Sequence, residues 1–184
     1  MTGWARDARY STVAIAFHWT IAVLIIANLI IGIGHDGIPA LRALMGAHKA
    51  IGITVLVLTL ARVAWRIAHR PPPLPAHMPG WEKGLAHATH WSLYLLMLAM
   101  PLTGWLMVSA PPTDGPARPL TWFGLFDIPR LPASAGAAGF GHEAHELLGW
   151  VMVALVVLHV AGALRHHLIL RDTVLARMVP MQRR

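Results

Sequence analysis

The chain contains no cysteine among its 184 residues. This absence excludes disulfide bonds, cysteine-ligated iron–sulfur clusters and haem that is attached covalently through cysteine. Charged residues are also scarce, at 12% of the chain against about a quarter in ordinary soluble domains, whereas 56% of the residues are hydrophobic. A chain of this composition is expected to use a lipid bilayer as its solvent.

The formal net charge of +7 does not indicate a nucleic-acid-binding protein. The basic residues stand mostly between long apolar runs and near the C-terminus, and the polar surface that such a protein needs is missing. They are better interpreted as topology signals.

Long apolar stretches predict four membrane-spanning helices, and a chain of 184 residues has room for that number at about 20 residues per span. The first stretch is too long for the hydrophobic part of a cleaved signal peptide, and no clear cleavage site follows it. The sequence therefore predicts one all-α transmembrane domain, residues 1–184, folded as a four-helix bundle. The spans are expected at about residues 12–34, 46–68, 86–109 and 143–165.

Lysine and arginine are distributed unequally between the two sides of these spans. The poorer side holds Arg42, Lys49, Arg118 and Arg130. The richer side holds Arg6, Arg9, Arg62, Arg66, Arg70, Lys83, Arg165, Arg171, Arg177, Arg183 and Arg184. By the positive-inside rule, both termini are cytoplasmic and the long third loop faces outward. The aromatic residues from Trp122 to Phe126 in that loop are interpreted as an interfacial anchor.

Four of the 12 histidines lie at matching depths in the predicted spans. His18 is near the cytoplasmic end of the first span, and His48 is at the outer end of the second. In the fourth span, His145 is outer and His159 is inner, and a spacing of 14 residues places them on one helix face about 21 Å apart.

Depth matching pairs His18 with His159 and His48 with His145. Two stacked histidine pairs in the core of a helix bundle are the expected way to hold two haem groups between facing helices. His142 competes with His145, because it lies one turn earlier on a similar face. A different metal, a proton path and purely structural histidines are the alternatives to haem.

The chain resembles the bacterial cytochrome b561 family over nearly its whole length. The resemblance is carried by several short motifs that are weak singly and specific together. They are Tyr10-Ser11, His18-Trp19, His48-Lys49-x-x-Gly52, Gly84-Leu85-Ala86-His87 through His90, Pro101-Leu102-Thr103-Gly104-Trp105, His145-Glu146, His159, His166-His167, and Arg171-Asp172 to Met178-Val179-Pro180.

The resemblance implies a multi-pass protein of the bacterial inner membrane that binds two b-type haems. The family's axial ligands correspond to His18, His48, His145 and His159. One characterised member type is superoxide oxidase, which implies an enzyme that oxidises superoxide at the outer face and reduces ubiquinone near the cytoplasmic side. Electrons would pass from the outer haem to the inner haem and then to the quinone.

A quinone-reducing site needs proton donors beside a slot that lipid can reach. His87, His90, His166 and His167 are expected at the inner ends of the third and fourth spans. His87, together with His166 or His167, is the hypothesis for this catalytic site. The alternative is that these histidines simply meet headgroups and water at the interface.

At the outer face, Arg42, Lys49, Arg118 and Arg130 are candidates for attracting an anionic radical, although acidic residues make the formal charge of that side negative. Two other functions are compatible with the sequence. The chain is alternatively a cytochrome subunit that docks to a dehydrogenase or hydrogenase partner, or a histidine-lined metal or proton transporter without haem. The short loops and the lack of a large outer domain favour the free-standing enzyme.

Overall fold

The computed structural model describes residues 9–75, 78–111 and 119–179. Within these ranges there are five α-helices: α1 (Thr12–Gly34), α2 (Pro39–Ala43), α3 (Met45–Ala68), α4 (Gly80–Met107) and α5 (Ala135–Leu164). A π-helical segment, Arg165–Leu170, continues α5, and a short 3₁₀ turn, Ala176–Met178, follows it. Arg6, Arg118, Arg183 and Arg184, which were counted for orientation, lie outside the described residues.

Local sequence accounts for where the long helices begin. Ser11 caps α1 by accepting a hydrogen bond from the Ala14 backbone N–H, and Ser134 caps α5 by accepting one from Ala137. A serine in extended conformation just before a helix satisfies one of the backbone donors that the first turn leaves unpaired. The proline run that starts at Pro71 keeps α3 from continuing.

The four long helices share one hydrophobic core. α1 packs against α3, α3 against α4, and α4 against α5. The central cluster contains Ile21 from α1, Val55 from α3, Met97 from α4 and Met152 from α5. Many outward-facing side chains are apolar as well, and Ile67, for example, is 80% exposed. An apolar exterior around an apolar core is the pattern of helices surrounded by lipid.

Three of the helices are long and apolar enough to cross a membrane: α1, α3, and α5 together with its π-helical extension. The fourth expected span falls on α4, which does not reach the same hydropathy. The reason is that its N-terminal half carries polar side chains such as Lys83, His87 and His90 among its apolar ones. Three of the four expected spans thus fall on membrane-capable helices, and the span on α4 stays a prediction.

Two elements correct the simple four-helix prediction. α2 is a fifth helix of five residues, started by Pro39, whose fixed φ suits a first helical turn. Strands β1 (Thr121–Trp122) and β2 (Phe126–Asp127) form an antiparallel hairpin. Its turn needs Gly124, whose φ is +76°.

The hairpin is tied to the helices through one aromatic side chain. The indole N–H of Trp122 donates to Thr54 Oγ1 on α3 at 3.0 Å. Phe123 and Phe126, in contrast, are about half exposed. The residues interpreted as an interfacial anchor therefore differ in orientation. Trp122 faces the protein, and the two phenylalanines face outward.

One end of the molecule, called the tail end below, gathers the start of α1, the end of α3, the start of α4 and the residues after α5. The indole N–H of Trp19 donates to the Met178 carbonyl at 2.7 Å, and Arg177 donates to the Pro73 carbonyl at 2.7 Å. Arg9 donates to the Val179 carbonyl. Both ends of the described chain therefore lie at the tail end. The opposite end, with α2 and the hairpin, is called the hairpin end.

Candidate functional site

His48 and His145 face each other near the hairpin end. Their ring centres are 6.1 Å apart and their planes are inclined at 78°. His48 Nδ1 lies 3.2 Å from the Asn28 carbonyl, and His145 Nδ1 lies 2.9 Å from the Met100 carbonyl. A carbonyl only accepts, so each Nδ1 carries the proton and each Nε2 keeps its lone pair. This is how an imidazole is prepared for a metal through Nε2.

Two glycines give these imidazoles their space. A Cβ atom on Gly32 of α1 would lie 2.9 Å from His48 Cε1, and one on Gly104 of α4 would lie 2.9 Å from His145 Cε1. Any larger residue would push the ring from its position. The pair is thus flanked by one glycine from each neighbouring helix.

His18 and His159 form a second pair toward the tail end. Their ring centres are also 6.1 Å apart, with the planes inclined at 70°. The surroundings differ from those of the first pair. Arg62 Nη2 lies 3.4 Å from His18 Nδ1, and the ring of His90 lies edge-on to His159 with its centre 5.2 Å away.

The two spacings fit one metal ion held between two imidazoles. Metal–nitrogen bonds of about 2.0 Å on opposite sides of an ion place the two ring centres about 6 Å apart. A pair supplies only two ligands, and the described residues contain no group of three or more His, Cys, Asp or Glu arranged to hold a metal. The remaining ligands must come from the bound group, as the four nitrogens of a haem macrocycle do. The residues present therefore fit haem better than a bare ion.

The structure brings the histidines together in the pairs that depth matching predicted, and their role as haem ligands stays a prediction. His145 and His159 lie on the uninterrupted helix α5. His142, the competitor of His145, is exposed, and its Nδ1 contacts the Met107 sulfur at 3.4 Å. The geometry thus favours His145 as the partner of His48.

A cavity of about 400 Å³ opens at the tail end between the proline-rich connection and α4. His87 and His90 both line it. The other lining residues are Tyr10, Arg66, Pro71, Pro72, Pro73, Leu74, Lys83, Ala86, Trp91 and Tyr94. The cavity combines apolar walls, aromatic rings and basic groups, and no carboxylate is among the described residues that line it.

His166 and His167 are not among the residues that line this cavity. His166 Nδ1 is 2.6 Å from Asp172 Oδ2 in a largely buried contact, and His167 is exposed. The reason is the π-helical segment and the turn at Arg171, which fold these residues toward the C-terminal tail. The structure does not bring them together with His87.

Sequence reasoning placed His90 only within a general cluster, whereas the structure sets it beside both the cavity and His159. A signal was present in the spacing, because His87, His90 and Tyr94 follow an i, i+3, i+7 pattern that aligns them on one face of α4. No sequence pattern indicated that the guanidinium of Arg62 lies beside His18, because this contact depends on the packing of α1 against α3.

Two basic residues at the hairpin end, Arg42 and Arg130, are engaged with the protein, and Arg118 lies outside the described residues. Arg42 donates to the His35 carbonyl at 3.2 Å and to the Asp36 carbonyl at 2.8 Å. Arg130 donates to the Val108 carbonyl. Attraction of an anion by this face stays a prediction.

Known proteins are similar to this chain over nearly its whole length. A family model described as prokaryotic cytochrome b561 matches residues 9–181. The chain is 37% identical to cytochrome b561 homolog 2 of Escherichia coli strain K12 over 183 residues, which cover 93% of this chain and 91% of the relative. It is 31% identical to a protein of Yersinia pestis named probable superoxide oxidase CybB, over 95% of this chain and 98% of the relative. It is 29% identical to cytochrome b562 of Cereibacter sphaeroides, over 95% and 97%.

The family match covers nearly all of the described chain, including both histidine pairs and the cavity. Membership implies b-type haem, and it agrees with the three membrane-capable helices. This chain is a membrane cytochrome b of the prokaryotic cytochrome b561 family.

Proposed function

We propose that the protein is a superoxide:ubiquinone oxidoreductase of the bacterial inner membrane that carries electrons across the bilayer. The observation that supports this most directly is the pair of equal spacings, 6.1 Å in each histidine pair, at two depths of one helix bundle. His48 and His145 would hold one haem b, and His18 and His159 the other. Haem held by these histidines would supply one-electron transfer.

The overall reaction balances in electrons and protons. Two superoxide anions each lose one electron and leave as O₂, and one ubiquinone takes up two electrons and two protons to become ubiquinol. The relative named probable superoxide oxidase supports the choice of donor. In this proposal, superoxide is oxidised at the hairpin end and quinone is reduced at the tail end.

The cavity at the tail end is the proposed quinone site. Trp91 and Tyr94 contribute aromatic rings to the lining and the proline walls are apolar, which suits a quinone head group. His87 lines the cavity and is exposed, so it is able to exchange protons with water and to donate them to the quinone oxygen. Because His166 and His167 do not line the cavity, His87 is the proposed proton donor there.

The proposed topology has four spans, with α4 as the fourth. Helix α4 contributes Tyr94 and Met97 to the core shared with α1, α3 and α5, and its polar residues Lys83, His87 and His90 line the tail-end cavity. Two described chain ends at one end of the molecule agree with both termini on the cytoplasmic side. The positive-inside rule then assigns the arginine-rich tail end to the cytoplasm and the hairpin end to the periplasm in this proposal.

The experiment that tests the function exposes purified protein in lipid nanodiscs to enzymatically generated superoxide. Haem reduction is followed by visible absorbance, and ubiquinol formation is followed in the same sample. We expect reduction of both haems and then quinol. His87→Ala should keep both haems and the superoxide-driven haem reduction, while quinol formation falls about a hundredfold, as is usual when a proton donor is lost.

The ligand assignment is tested by His145→Ala and His159→Ala, each of which should lose one haem. His142→Ala is the matched control on α5, and it should keep both. Absence of a bis-histidine b-type spectrum in the wild-type protein would refute the cytochrome assignment of both pairs. Haems that superoxide does not reduce would instead favour a subunit that receives electrons from a dehydrogenase or hydrogenase partner.

A further inference from the structure

Two arginines on consecutive turns of α3 lie inside the tail end of the bundle. Arg62 Nη2 is 3.4 Å from His18 Nδ1, so this guanidinium is beside the tail-end histidine pair. Arg66 follows one turn later and lines the cavity. Both side chains are half-buried, which separates them from Arg70, the exposed residue one turn further along.

Aromatic rings of α4 hold the two guanidinium groups in place. The guanidinium carbons of Arg62 and Arg66 lie 5.2 Å and 5.6 Å from the ring centre of Tyr94. Arg66 also lies 5.9 Å from the ring centre of Trp91. These contacts are attractive and orient the planar groups, but they leave both positive charges uncompensated.

No described carboxylate compensates these charges. Within residues 9–75, 78–111 and 119–179, no Asp or Glu oxygen lies within 4.0 Å of Arg62 or Arg66. The acidic side chains at this end are engaged elsewhere, Glu82 with Arg165 at 2.9 Å and Asp172 with His166 at 2.6 Å. Charged groups in a membrane interior are costly unless they pair, so a paired anion is expected.

We infer that Arg62 and Arg66 bind the propionate carboxylates of the haem held by His18 and His159, an inference that rests on the proposed function. Haem b carries two carboxylates, and the fork of a guanidinium group matches a carboxylate better than any other basic side chain. Arg62 contacts His18 of the ligand pair, and Arg66 lines the cavity. Lipid phosphate is the other source of such an anion, but the contact of Arg62 with His18 places it among the helices rather than at their lipid-facing surface.

The test compares Arg62→Gln, Arg66→Gln and Arg62→Lys with the wild-type holoprotein. The midpoint potentials of the two haems are measured by spectroelectrochemistry, and the propionate bending band is measured by resonance Raman spectroscopy. Removal of a cation from a carboxylate makes the site more negative and favours oxidised iron. Each glutamine variant should lower the equilibrium constant for reduction of one haem about tenfold, which is about 59 mV for one electron.

The propionate band should shift in the same glutamine variants, and the potential of the other haem should stay constant. Arg62→Lys should leave the midpoint potential close to the wild-type value, because the positive charge is retained. It should still shift the propionate band, because the planar guanidinium group is lost. Arg70→Gln is the matched control with the same change of charge, and it should alter neither readout.

A potential change without a change in the propionate band would overturn the inference, since the arginines would then act on the iron only through space. An effect that disappears in phosphate-free detergent would identify lipid phosphate as the anion and would overturn it as well. Two normal bis-histidine haems whose potentials and bands are the same in all variants would also refute it while leaving the proposed function intact. If the wild-type protein lacks two such haems, it is the proposed function that fails.

Discussion

Gly32 and Gly104 occupy positions where any larger side chain would collide with an imidazole. Replacing either with alanine puts a methyl group 2.9 Å from the ring of His48 or His145. Overpacking of this kind costs about 1–3 kcal/mol, and the ring is the part that is able to move. We expect Gly32→Ala and Gly104→Ala each to weaken or shift one haem of the two, measured by haem content per protein and redox titration.

The control for this prediction is Gly139→Ala on α5, where an added Cβ meets nothing within 4 Å. That variant should keep both haems with normal potentials. If Gly32→Ala retained a normal haem complement and both potentials, the glycines would have no role in seating the imidazoles.

At the residue scale, the histidines were predictable because depth in a span follows directly from position in the sequence. Their neighbours were not. The carbonyls of Asn28 and Met100 accept from the imidazoles only because α1 and α4 pack beside them, and no local pattern indicates such a contact.

At the scale of helices, Glu82 and Arg165 join the start of α4 to the end of α5. Arg165 Nη1 is 2.9 Å from Glu82 Oε1, with side-chain exposures of 44% and 9%. Because the arginine is partly in solvent, the ion pair should stabilise the fold less than a fully buried pair would. We therefore expect Glu82→Gln to lower the free energy of unfolding by about 1–2 kcal/mol. Thermal unfolding in detergent measures this effect.

A double-mutant cycle with Arg165→Gln separates the pair from its surroundings. Glu143→Gln on the exposed face of α5 is the matched control and should change the unfolding temperature little. A coupling energy near zero in the cycle would mean that the contact does not stabilise the packing of α4 against α5.

The helices themselves differ in how far the sequence predicts them. α1 and α3 follow from continuous apolar runs, and α5 from the run around His159. α5 nevertheless begins at Ala135, because Ser134 caps it and the small residues that follow continue the helix without an apolar pattern. α2 and the hairpin were not expected, since such short elements depend on contacts like the one between Trp122 and Thr54.

At the scale of the whole molecule, the lack of cysteine makes orientation directly testable. Leu125, 74% exposed in the hairpin, and Arg70, exposed at the tail end, are suitable sites for single cysteines. We expect a membrane-impermeant maleimide to label Leu125→Cys in intact spheroplasts, whereas Arg70→Cys should react only after the membrane is opened.

The wild-type chain serves as the control without any reactive thiol. Labelling of Arg70→Cys from outside, with Leu125→Cys protected, would reverse the proposed orientation and place the quinone cavity at the periplasmic side.

The sequence by itself determined the membrane setting, the long helices and the order of the histidines along them, because these depend on composition and on position along a helix of constant rise. It also carried the family motifs. Only the tertiary structure decided that the paired imidazoles lie 6.1 Å apart, that His90 and Arg62 border one pair, and that His166 turns toward Asp172 rather than the cavity. Those facts depend on how four helices rotate and pack against one another, and rotation about a helix axis is not specified by apolar runs that cover nearly every face.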